Sequence, residues 1–127
     1  MPMRALVQSL AIGRIAFGAV MLLKPEAAVR GWIGRRPASS AGTQAVTRAF
    51  GARDLVLGAG TLRALAQQTE ARDWVAAGAF ADVVDFAATA TADEIPLVGR
   101  MLVLAMAGAA IGVSAGYLAG GSNERAQ

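Results

Sequence analysis

The sequence predicts an all-α fold, an integral membrane four-helix bundle. Three observations carry that expectation. The 127-residue chain is 55 % hydrophobic with a mean hydropathy of +0.47. Only 17 % of its residues are charged, against about 25 % in a typical water-soluble domain. The apolar residues gather into four runs, each near the ~20 residues a helix needs to cross hydrocarbon.

The first run covers residues 5–23 and stops at Lys24-Pro25. Arg14 interrupts it and no small-x-small cleavage site follows, so it reads as a retained helix and not as a signal peptide. Residues 26–43 form a basic connection with Arg30, Arg35 and Arg36. Its opening EAAVRGWIG predicts a short helix at the interface, anchored by Trp32. The second run, 44–65, and the third, 74–92, carry internal charges and are joined by a short polar turn. Asp93-Glu94-Ile95-Pro96 predicts a turn with proline at the head of the fourth run, 97–119. Residues 120–127 are expected to fray. The whole chain reads as one domain, 1–127. An alanine-rich soluble bundle is the competing fold, but four runs of near-spanning length argue against it.

Composition narrows the chemistry. The chain has no cysteine and no histidine, which removes disulfides, thiol chemistry, haem and the common zinc sites. No metal and no cofactor are expected. The net charge of +3 and isoelectric point of 10.6 come from scattered arginines without interleaved aromatics, so nucleic acid is not an expected partner. The arginines read as membrane-flanking charge, with loops one and three in the cytoplasm by a margin of one residue. Trp74 and Tyr117 read as interfacial anchors, and Met101 and Met106 as filler.

The charges inside the runs are the informative residues. Arg14 is the midpoint of run one, Arg53-Asp54 of run two, and Asp82 is near that of run three. In an up-down bundle all share one depth. Arg48 and Asp85 are both displaced toward the same face, by roughly 4 to 9 Å at the helical rise, which suggests a second pair. Three arginines thus match three aspartates. A lone charge at mid-bilayer costs about 2.5 to 3.5 kcal/mol even on the lenient scale, so pairing inside the bundle is the expected solution.

The helical faces agree with this layer. Trp74, Gly78, Asp82, Asp85 and Thr89 share a stripe, as do Gly51, Asp54, Gly58 and Thr61, and Arg14, Phe17, Gly18 and Met21. Ala105, Gly108, Gly112 and Gly116 give run four a small-residue face expected to back the site.

The phrase RAFGARDLVLGAG (residues 48–60), followed by AFADVVDFAAT (79–89), resembles small uncharacterised four-helix membrane proteins of actinobacteria. The opening GRIAFGAVMLLKPEA (13–27) is similar to the first helix of DoxX-like proteins. The resemblances imply a four-helix membrane fold. DoxX-like proteins are associated with quinone-linked and thiol redox assemblies, and the absence of cysteine takes the thiol role away here.

Intramembrane ionisable residues mark functional sites by default. The first expectation is a site for a small lipophilic ligand, with acid–base chemistry of an isomerase, cyclase or epoxide-opening type. Asp82 and Asp85 would be the acid–base pair and Asp54 a third carboxyl oriented by an arginine. Arg14, Arg48 and Arg53 would stabilise negative charge, with Trp74 and Phe17 on the same faces. Two alternatives are a proton-coupled transporter or channel subunit, and an accessory subunit whose layer fixes helix register. Expected surroundings are the bacterial inner membrane, its lipid, and further copies of the chain.

Overall fold

The structure, a computed structural model, describes residues 2–124 and side chains through residue 120. Six helices follow one another: α1 Met3–Leu23, α2 Pro25–Ile33, α3 Arg35–Ala38, α4 Ala41–Ala66, α5 Arg72–Thr91 and α6 Leu97–Glu124. All regular structure among the described residues is helical. The four long helices fall on the four apolar runs. The count of four is corrected to six because the first connection is itself helical. Residues 120–124, expected to fray, continue α6; residues 125–127 of that expected tail lie outside the described residues.

Local chemistry sets the joints. Pro25 cannot donate a backbone hydrogen bond, which suits the first position of α2 and ends α1. Gly34, with φ of 92° and ψ of 160°, separates α2 from α3 in a region essentially reserved for glycine. The Ser40 hydroxyl accepts from the Thr43 amide at 3.2 Å and caps α4. At the head of α6 the Arg100 amide donates to the Pro96 carbonyl at 2.9 Å.

Two helices, Met3–Leu23 and Leu97–Gly120, are long and apolar enough to cross a membrane. α4 and α5 have 26 and 20 residues, so length does not separate them from these two. Internal charge does.

α1 packs on α4, and α5 on α6, more closely than the two pairs pack on each other. The α1–α4 crossing is a backbone contact. A Cβ at Gly51 would lie 2.7 Å from the Gly18 carbonyl oxygen, and one at Gly58 would lie 2.6 Å from that of Ala11. α2 closes over the head of α6, where Gly99 meets the carbonyls of Gly31 and Trp32. Trp32 is half-buried there.

The distribution of residue types is inside-out. Thr47, Asp54, Thr61, Asp82, Thr89 and Ser114 are buried, alongside mostly small apolar residues. Large apolar side chains such as Ile12, Val56, Phe80 and Leu102 are exposed on all four long helices. One end of the bundle is closed by an apolar cluster of Val7, Ala64, Leu65, Ala71 and Val75.

Candidate functional site

Five charged side chains from three helices form a continuous chain of ion pairs at the middle of the bundle. Arg14 projects from α1, where Gly78 on the facing turn of α5 leaves room for it. A Cβ at Gly78 would stand 3.3 Å from Arg14 Nη2. That nitrogen donates to the Gly78 carbonyl at 3.1 Å and to Asp82 Oδ2 at 2.5 Å. Arg14 Nη1 lies 3.5 Å from Asp54 Oδ1 on α4.

Asp54 is shared. Arg53 Nε and Nη2 donate to the same Oδ1 at 3.2 and 3.1 Å. The other edge of the Arg53 guanidinium holds Asp85 of α5 bidentately, at 3.0 Å from Nη1 and 2.7 Å from Nη2. This parallel fork is the strong geometry for a guanidinium and a carboxylate. The order is Asp82–Arg14–Asp54–Arg53–Asp85, so α5 is tied at two points to the tightly packed α1–α4 pair.

Burial is graded along the chain. The side chains of Arg14, Asp54 and Asp82 are 9, 11 and 10 % exposed, whereas Arg53 and Asp85 are 29 and 28 % exposed. The inner pair is closed off; the outer pair opens at the edge between α4 and α5. The Phe50 ring, itself partly exposed, lies 5.1 Å from the Arg53 guanidinium carbon and supports it by a cation–π contact.

A cavity of about 10 Å³ adjoins the inner pair, lined by Arg14, Thr61, Trp74, Gly78 and Ser114 among others. That is room for about one water. Among the described residues there is no group of carboxylates placed to hold a metal ion.

Residues 11–118 match the family described as Domain of unknown function (DUF4267). The chain belongs to that family. No curated protein and no solved structure matches it. The matched span contains all five members of the ion-pair chain.

The structure brings together Arg14, Arg53, Asp54 and Asp82 at one depth, as their positions in the sequence suggest. It also adds Asp85, but with a different partner from the one expected. Arg53 takes Asp85; Arg48 is exposed and has no ion pair among the described residues. The reason is rotation: five residues place Arg48 about 140° around the helix from Arg53. Without Arg48 the charges no longer balance, and three carboxylates share two guanidiniums.

Phe17, expected on the site face, is 42 % exposed and points outward. Trp74 is partly exposed; its ring packs over Gly60 and lines the small cavity. The small-residue face of α6 is divided: a Cβ at Gly116 would lie 2.8 Å from the Met3 side chain of α1, and one at Gly108 would lie 3.8 Å from Phe86 of α5. Ala105 and Gly112 are exposed, and nothing packs where a Gly112 Cβ would be. α6 instead buries Ala110 and Ser114. Two site residues escaped the sequence reading. Ser114 could have been noticed as the lone serine in α6 before residue 120; Phe50 stands three residues from Arg53, a spacing that places the two on one face.

Proposed function

We propose that the chain is a four-helix integral membrane protein that binds the polar head of a small lipophilic molecule at the Arg53–Asp85 edge. The membrane part is supported by the inside-out distribution of side chains, with polar residues buried and large apolar residues exposed on every long helix. Four long helices, two of them apolar enough to span, fit a bundle crossing the bilayer with α1, α4, α5 and α6. The resemblances in the sequence imply the same fold, and a bacterial inner membrane is the location that goes with them.

One observation carries the ligand. Arg53 and Asp85 are more than a quarter exposed, on helices whose outward side chains include Val46, Val56, Val83 and Val84. An ion pair open to hydrocarbon is costly, and a polar headgroup arriving laterally from the bilayer would cover it. The ligand enters between α4 and α5, because the cavity beside Arg14 accepts no more than a water. Where acid–base chemistry accompanies binding, Asp85 is the carboxyl within reach of the ligand. Asp82 and Arg14 then position α5 and do not touch it. The water-sized inner cavity favours a second reading for that half of the network, in which it only fixes helix register.

Chromatographic extraction and mass spectrometry of lipophilic molecules that co-purify with the chain test this reading. Wild type should carry a species enriched over bulk lipid. Arg53→Gln and Asp85→Asn should lower its amount about tenfold, as loss of a charge-assisted hydrogen bond predicts. Equal amounts in all three proteins would refute the ligand.

A further inference from the structure

A second opening lies at the far end of the bundle, away from the ion-pair chain. It is a cleft of about 780 Å³ between the start of α1, the α4–α5 turn and the end of α6, and its lining includes Arg4, Arg72, Thr69, Glu70 and Tyr117. Of the apolar cluster only Ala71 lines it, whereas Val7 and Val75 line the Arg14 cavity.

Two guanidiniums line the cleft. Arg4 spends one Nη2 bond, 2.6 Å long, on the Leu65 carbonyl at the last turn of α4. Its other donors make no hydrogen bond or ion pair among the described residues. Arg72 Nη1 is buried and has no hydrogen-bond partner among them either. A buried guanidinium nitrogen without an acceptor is costly. The cleft also stands at the start of α5, where Ala71 offers no side-chain cap and Asp73 in the first turn offsets the helix dipole. Arg4 and Arg72 are the cations that line it, and Glu70 is the lining carboxylate.

We propose that this cleft binds the phosphodiester headgroup of a phospholipid, with Arg72 and Arg4 as the phosphate ligands. A phosphodiester carries one negative charge and presents two oxygens to a guanidinium fork. The cleft is far larger than a phosphate ion needs, which leaves space for a glycerol unit. Its place at a bundle end sets it at headgroup depth, a point that rests on the membrane placement proposed above.

The test uses the full chain, purified in a neutral detergent, and reads the thermal midpoint. Three additions are compared: phosphatidylglycerol, diacylglycerol with the same acyl chains, and inorganic phosphate. Phosphatidylglycerol should raise the midpoint and diacylglycerol should not. Arg72→Gln should weaken the apparent affinity for phosphatidylglycerol about tenfold. Arg72→Lys keeps the charge and should fall between, because an ammonium cannot form the fork; it also serves if the glutamine variant does not fold. Equal shifts from phosphatidylglycerol and diacylglycerol, or unchanged affinity in both variants, would overturn the site. A full shift from inorganic phosphate alone would overturn its assignment to lipid. Failure of the membrane placement is read separately, as release of the chain from membranes in an alkaline wash before any lipid is added.

Discussion

Arg14→Leu should lower stability by about 3–5 kcal/mol, the cost of leaving a buried charge without its partner. Arg14 donates to both Asp82 and the Gly78 carbonyl and stands 3.5 Å from Asp54. Asp54 keeps Arg53 when Arg14 is lost, but Asp82 keeps nothing: no other cation reaches it among the described residues. The double change Arg14→Leu with Asp82→Leu removes the buried pair together and should be milder than Arg14→Leu alone. Unfolding in detergent by a denaturing surfactant gives both values, and the cycle isolates the pair. A single variant as stable as wild type, or a double variant as damaged as the single, would mean that the inner pair does not join α1 to α5.

Gly58→Leu should be comparably damaging for a different reason. The obstacle at Gly58 is the Ala11 backbone carbonyl, 2.6 Å from the Cβ position, with the Ile15 side chain at 2.8 Å. A backbone cannot rotate away as a side chain can, so α1 and α4 must part. The cost should reach or exceed the upper part of the usual overpacking range, about 3 kcal/mol. Separation of α1 from α4 would also pull Arg14 from Asp54, so retention of the ligand proposed at Arg53 should fall with stability. Gly13→Leu is the control, since nothing lies within 4 Å of a Cβ there. It should leave stability unchanged or slightly raise it, because leucine is the better helix former. Equal behaviour of the two variants in the same unfolding assay would remove the close helix contact from the account.

The sequence announces both of these sites. Depth was legible: in an up-down bundle, midpoints of helices of similar length meet, and Arg14, Arg53, Asp54 and Asp82 do meet. The glycine stripe of α4 was legible as well, because Gly51, Asp54, Gly58 and Thr61 repeat at helical spacing and all are buried. Rotation was harder to read. Choosing between Arg48 and Arg53 as the partner of Asp85 depends on which flank of α4 faces α5, and depth alone does not say. For α6 no polar stripe breaks the degeneracy. Almost every residue from 101 to 116 is small or apolar, so several faces satisfy the same packing rule, and the one actually buried is marked only by Ser114. Loop one was half legible: Pro25 and the EAAVRGWIG pattern gave α2, whereas α3, at four residues, is too short to carry a periodic signal.

The central claim is that α1, α4, α5 and α6 cross a bilayer around the ion-pair chain. The chain has no native cysteine, so each introduced thiol is a unique reporter. Ser39→Cys, Gln67→Cys, Glu94→Cys and Val83→Cys, treated with an impermeant maleimide on sealed vesicles, map the first connection, the α4–α5 turn, the α5–α6 turn and the middle of α5. Residues 39 and 94 should label from one side, residue 67 from the other, and residue 83 from neither although its side chain is about half exposed (48 %). Labelling of residue 83 as readily as residue 39, or of residues 39 and 67 from the same side, would contradict the account.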